Sequence, residues 1–446
     1  METTKQNPEI LAFCADRVSE LGSRIKTARR DISAGCGAAR LGAKTRREFD
    51  SKAPLRLVLV EAKPGAAPEL LEAGLEQIDR EAGENLTPDY GVFFGNQPPA
   101  GKLAFVFPGQ GSQYPFMGSG LAEAFEESRP VIQSAERAFN RNPALLSLIY
   151  PGQGAGEKTD GAEAAALQET DVAQPALGLI SLVVLAILHR HGLFADAACG
   201  HSFGELTALC AAGRIKESDL MDLAVERGRL MAEAGRASAD SGKMLAVKAP
   251  CETIEGLIRK HGADVILANR NSPNQGVISG PTDEIVRMQA VLRKNRIISA
   301  ILPVSAAFHS RLVMDAARPF SETVFSTPFY HGSIPVYSNT TAAPYPEDHE
   351  AARRLLGDHL TQPVNFVDEI SGMYESGVRT FIEVGPKSVL TGLVKNILAD
   401  LPHAAFSTDA SGGKNPALVD LAFALCRAAA LGYGVHLQQW PSAQTG

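Results

Sequence analysis

A chain of 446 residues with 45% hydrophobic and 21% charged residues has enough apolar material for a large core, divided over about two to four domains. Its net charge of −7 argues against nucleic acid as a partner, and its six cysteines, scattered without C-x-x-C or other ligand spacing, speak against a disulfide framework or a metal site and for a reducing, cytoplasmic setting. No apolar leader is expected at the N-terminus, and the longest apolar run, residues 175–188, is shorter than a bilayer span and reads as a buried helix, so no membrane is expected as a partner.

Residues 1–100 read as a small α/β linker domain. Residues 8–29 carry Ile10, Leu11, Phe13, Val18, Leu21 and Ile25 near helical spacing, which predicts a helix. A basic stretch from 29 to 52 reads as a loop or short helix, followed by a strand at 55–60, a helix at 68–82 and a short strand at 91–95. No catalytic constellation stands out here.

The next strand, at 102–107, runs into Pro108-Gly109-Gln110-Gly111-Ser112. That loop lacks the Walker lysine and the full dinucleotide fingerprint, which argues against a nucleotide, but Gln110 could offer an N–H to an oxyanion. Helical patterns follow at 117–140 and 174–190. The stretch Gly200-His201-Ser202-Phe203-Gly204 then fits Gly-x-Ser-x-Gly, between a short apolar strand and a helix start. Its plain reading is a glycine-punctuated turn with a chance serine. The sharper reading is a nucleophile elbow, in which Ser202 is exposed on a tight bend at a helix N-terminus that favours negative charge. Arg227, inside a helix expected at 217–234, reads from periodicity as a snorkelling surface residue, or else as a planar fork for a carboxylate.

Residues 238–304 follow the order strand, helix, strand, strand, helix, strand, the split unit of ferredoxin-like folds, and read as an insertion able to roof a cleft. His309 lies where that unit rejoins the main domain, which makes it the expected partner of Ser202. A strand at 334–337, a helix ending near His359, a strand at 378–384, helices at 388–398 and 415–431 and a short tail complete the chain.

Taken together and in order, F-V-F-P-G-Q-G-S-Q, T-D-V-A-Q-P-A, G-H-S-F-G-E-L, R-G-R-L-M, A-A-F-H-S, H-L-T-Q-P-V-N-F and E-V-G-P-K-S-V-L resemble the malonyl-CoA:acyl carrier protein transacylases, in particular the acyltransferase domains of polyketide and polyunsaturated fatty acid synthases. The resemblance covers residues 102–400. It implies an α/β-hydrolase-like core with a parallel sheet (101–237 and 305–405), the ferredoxin-like insertion at 238–304, and linkers at 1–100 and 406–446. A ketosynthase would then precede the chain in a parent synthase. It further implies Ser202 as nucleophile and His309 as general base, oriented by the backbone carbonyl of His359, with Gln110 and Phe203 N–H groups as the oxyanion hole. Arg227 would grip the malonate carboxylate, with His201, Gln174 and Phe308 lining the acyl pocket, Phe308 favouring malonyl over methylmalonyl. Malonyl-CoA is then the donor substrate and an acyl carrier protein the acceptor, with no metal or tightly bound cofactor. Arg29, Arg30, Arg40 and Arg46 are basic residues that could meet an acidic carrier. The alternatives are a serine thioesterase or hydrolase of related fold, and a scaffold with a decayed site.

Overall fold

The computed structural model describes residues 7–79, 91–152, 165–237, 240–304 and 306–441. The expected boundary positions 238 and 305, and the expected end of the helix at 68–82, lie outside the described residues.

The chain begins with an antiparallel sheet of β1 (Glu9–Ala15), β2 (Leu55–Glu61) and β3 (Val92–Gly95), with β2 in the middle. It continues into β4 (Lys102–Phe107) and β5 (Ala197–Gly200), is interrupted by β6 (Lys243–Lys248), β7 (Ile266–Ser272), β8 (Gln275–Gly280) and β9 (Ile298–Ile301), and returns with β10 (Val378–Glu383) and β11 (Ala404–Ser407).

The helix expected over residues 8–29 is two elements: β1, then a helix at Val18–Ser33. The cause is burial on both faces. Ile10 and Ala12 pack into one core while Leu11, Phe13 and Ala15 pack into another, so the strand reads as an unbroken apolar run without period-2 alternation. Helices Val18–Ser33 and Ala67–Asp79 cover one face of this sheet. The other face is covered by Ala417–Ala430 from the far end of the chain, with Phe93 edge-on to Phe423 at 5.7 Å. Arg56 seals the junction, donating to the carbonyls of Ala430 (3.0 Å) and Gln97. Residues expected as two separate linkers thus share one buried core. Arg46, counted above among the basic residues open to a carrier, is buried there, 3.2 Å from Glu9.

The central sheet is parallel, in the order β11-β10-β4-β5. On β4, Leu103, Phe105 and Phe107 face a layer containing the long buried helix Thr170–Arg190 and the helices Gly204–Ala211 and Glu217–Ala237. Ala104 and Val106 face the opposite layer, with Phe366, Ile370, Leu390 and Val394. The strand expected at 334–337 is reduced to single bridges, in which Val336 pairs with Ala198 beside β5. The edge strand β11 has no counterpart among the expected elements; four residues give too short a pattern to read.

The inserted sheet has the order β7-β8-β6-β9, all antiparallel, with helices Cys251–His261 and Thr282–Lys294 as its crossovers. Met244, Val277, Leu302 and Val304 from this unit line the cleft above the central sheet.

Candidate active site

At the end of β5 the chain turns so sharply that Ser202 adopts φ +50°, a left-handed conformation that L-residues avoid. The turn closes only because both flanking positions lack a side chain. A Cβ on Gly200 would lie 2.0 Å from the backbone of Gly204, and one on Gly204 would lie 2.0 Å from the carbonyl of Phe107. Ser202 is left at the N-terminus of the Gly204–Ala211 helix, with its hydroxyl facing the cleft.

His309, also at positive φ (+58°), places Nε2 2.9 Å from Ser202 Oγ. Its Nδ1 donates to the backbone carbonyl of Gln362 at 2.9 Å. That corrects the expected orienting residue, His359, whose carbonyl contributes only secondarily. The reason is local: beyond the helix His349–Asp358 the chain turns, and the His359 carbonyl is engaged by the Gln362 N–H (3.4 Å). The His359 side chain is instead buried beside the dyad, its ring 5.6 Å from that of His309 and its Nε2 3.7 Å from Glu205. Burial, then the charges of Arg227 and the neighbouring His201, push His309 down to about 3. The imidazole is therefore neutral and its Nε2 is able to take a proton from the hydroxyl.

Arg227 is fully buried, and Nη2 donates to Ser202 Oγ at 3.3 Å. Its Nε has no hydrogen-bond partner among the described residues. Burial lowers its pKa to about 9, opposed by the charge of Glu205. Glu205 is itself raised to about 7 by burial, against stabilising bonds from Tyr345 and Asn339. A buried guanidinium with an unmet donor can accept a carboxylate as its partner.

The cleft encloses about 180 Å³ and is lined by Gln110, His201, Ser202, Arg227, Phe308 and His309, among others. The N–H groups of Gln110 and Phe203 meet no acceptor among the described residues. Gln110 Nε2 is anchored on Thr170 Oγ1 at 3.1 Å, which holds that loop beside the elbow. His201 Nε2 faces Asn271 Oδ1 at 2.8 Å. Gln174 corrects another expectation: it does not line the cleft but sits behind it, its amide 3.3 Å from the sulfur of Met231, which does. Asn269 and Asn271 on β7 also line the cleft, and sequence reasoning misses them. Their signal is two amides at i and i+2, on one face of a strand.

A family profile described as acyl transferase domain matches residues 104–419. The malonyl CoA-acyl carrier protein transacylase of Bacillus subtilis is 34% identical over 311 residues, 69% of this chain and 93% of the relative. A polyunsaturated fatty acid synthase subunit from a Thraustochytrium species is 30% identical over 397 residues, 86% of this chain but 13% of the relative. Among solved structures, the acyltransferase domain from the second module of the salinomycin polyketide synthase superposes with a TM-score of 0.70 at 26% identity, covering 93% of this chain and 91% of that one.

Proposed function

Because the chain belongs to the acyl transferase domain family, we propose that it loads malonyl from malonyl-CoA onto Ser202 and passes it to the phosphopantetheine thiol of an acyl carrier protein. The observation that carries the reading is the meeting of three groups at one point: Ser202 Oγ lies 2.9 Å from His309 Nε2 and 3.3 Å from Arg227 Nη2.

The reaction proceeds in two half-steps. Arg227 exchanges its bond to the serine for the free carboxylate of malonyl-CoA, which turns the thioester carbonyl toward Oγ. His309 Nε2 takes the serine proton as Oγ attacks, and the Gln362 carbonyl steadies the imidazolium through Nδ1–H. The oxyanion is held by the N–H groups of Phe203 and Gln110, worth about 3 kcal/mol per donor in comparable sites. Collapse releases CoA, whose thiolate takes the proton from His309. The carrier thiol then gives its proton to His309 and attacks the acyl-serine, and His309 Nε2 returns that proton to Ser202 Oγ as the serine leaves.

The inserted β7-β8-β6-β9 sheet is read as a ferredoxin-like roof over a hydrolase-like core, and His201 and Phe308 as contacts to the acyl group. Phe308 crowds the branch of methylmalonyl. The chemistry uses no metal or tightly bound cofactor, and the supply of CoA thioesters and carrier thiols places it in the cytoplasm. Residues 7–95, packed on Ala417–Ala430, are read as linker structure in a larger synthase, and the match to a polyunsaturated fatty acid synthase subunit over 86% of this chain but 13% of that subunit supports a place within a longer chain; a ketosynthase on the N-terminal side is the arrangement the family resemblance implies.

The test is intact-mass analysis. Wild type incubated with malonyl-CoA gains one malonyl group, which a phosphopantetheinylated carrier removes; Ser202→Ala gains none. Steady release of free malonate in place of a stable adduct would instead mark a hydrolase.

A further inference from the structure

The backbone amides of the elbow are unequally engaged. His201 N–H donates to the carbonyl of Phe107 (3.0 Å), Gly204 N–H to that of His201 (3.0 Å) and Glu205 N–H to that of Ser202 (3.1 Å). Ser202 N–H points sideways into the side chain of Asn339, with Oδ1 at 2.7 Å. Of the amides from 201 to 205, only that of Phe203 meets no acceptor among the described residues.

Asn339 has no accessible surface, and the orientation of its amide follows from its neighbours. Oδ1 faces a donor, while Nδ2 faces two acceptors, the Gly200 carbonyl at 2.6 Å and Glu369 Oε1 at 2.7 Å. Its backbone is fixed as well: the N–H donates to Glu205 Oε2 at 3.2 Å, and the carbonyl accepts from Asn365 N–H at 2.9 Å. One planar carboxamide therefore clamps both sides of the bend, the carbonyl before His201 and the amide after it.

We infer that Asn339 is the positioning residue of the nucleophile: it holds Ser202 in its left-handed conformation by occupying the serine amide, and so leaves the Phe203 amide as the elbow's donor to the oxyanion. The inference rests on the acyl-transfer reading of the site. A non-glycine residue at positive φ persists only where its surroundings over-determine it, at a cost of order 1–3 kcal/mol. An unbonded Ser202 amide could relax the bend and move Oγ off His309, and misplacement by about 1 Å costs about 10²-fold in rate. Glu369 fills the supporting role as the fully buried acceptor that fixes Nδ2 at 2.7 Å.

The experiment is single-turnover acylation by malonyl-CoA, followed by intact mass. Asn339→Asp keeps the acceptor for Ser202 but presents a carboxylate oxygen to the Gly200 carbonyl and to Glu369. The acylation rate constant is expected to fall about 10²-fold, with the half-saturating malonyl-CoA concentration within about threefold of wild type, because Arg227 is untouched. Adding Glu369→Gln, whose amide can donate to the new carboxylate, is expected to restore about tenfold. A wild-type rate in Asn339→Asp, a loss confined to half-saturation, or no recovery in the double variant would each overturn the inference. Amide exchange by NMR on the unaltered protein gives a test independent of whether the variants fold. Ser202 N–H is expected to be protected and Phe203 N–H to exchange freely; the reverse pattern overturns the proposal. Wild type that takes no malonyl group would refute the acyl-transfer reading, while leaving the exchange pattern to judge the clamp.

Discussion

The guanidinium of Arg227 and the hydroxyl of Ser202 meet at 3.3 Å although they stand on successive helices, one halfway along Glu217–Ala237 and the other at the head of Gly204–Ala211. Under the proposed reaction, the group that binds the substrate carboxylate therefore sits beside the group that attacks its carbonyl.

Arg227→Ala removes the carboxylate-binding group. The variant is expected to lose malonyl loading by about 10²- to 10³-fold, in line with truncating one partner of a buried charge pair. Acetyl loading is retained or increased. Competition between malonyl-CoA and acetyl-CoA, read by intact mass, gives the ratio directly; an unchanged malonyl preference would place the carboxylate elsewhere.

The low pKa of His309 fixes its pH behaviour. In the proposed reaction the working base is the neutral form, and with a folded pKa of about 3 that form persists far below the ordinary histidine range. Acylation kcat/KM is thus expected to show no acid limb from this residue between about pH 5 and 7. The same shift acts on stability with a definite sign. Between its ordinary value of 6.5 and about 3 the unfolded chain binds a proton at this position that the folded chain excludes, so stability falls as the pH is lowered through that window. Replacing His309 by Gln should make the unfolding free energy less steep in pH, by up to about 1.4 kcal/mol per unit, as read from denaturant titrations.

Gly228 follows Arg227 where two helices nearly touch. A Cβ there would lie 2.9 Å from both the Asp171 Cα and the Thr170 carbonyl. Gly228→Ala is expected to cost about 1–3 kcal/mol through overpacking. It should also displace the guanidinium, so that malonyl loading falls more than acetyl loading; equal falls would show that the helix spacing does not govern Arg227.

Phe308 is nearly fully buried and lines the cleft. Phe308→Ser opens room for an α-methyl branch and is expected to raise methylmalonyl loading relative to malonyl by about tenfold, the worth of one methylene-sized contact. A ratio that stays fixed would remove the phenyl ring from substrate selection.

Legible in the sequence is whatever depends on side-chain type at a fixed spacing. The elbow, the alternating strand, helix and turn of residues 243–301 and the pairing of Ser202 with His309 are of this kind, whereas the periodicity around Arg227 reads first as a surface residue and only the family resemblance brings it to the site. Hidden is whatever depends on the backbone or on three-dimensional neighbours. The acceptor for His309 Nδ1 is a main-chain carbonyl, and nothing in the residue type of Gln362 marks its carbonyl over that of His359, three residues earlier. Gln174 stands in the expected motif, but its place behind Met231 is set by how two helices cross. β1 reads as helix because burial on both faces erases the alternation that identifies a strand. Nothing in the sequence singles out Asn339, since its five hydrogen-bonding neighbours lie in residues 200–205, at Asn365 and on the Phe366–Glu375 helix.

The helix Ala417–Ala430 covers the face of the N-terminal sheet that bears Ile10, Ala12, Val58, Val60 and Phe93. During synthesis that greasy face is finished long before its cover exists. At roughly 5–20 residues per second, the ribosome needs on the order of half a minute to reach the covering segment. For that interval the nascent chain carries an open apolar surface, and truncation near residue 416 would leave it open for good, which makes such a cut more harmful than its distance from the nucleophile suggests.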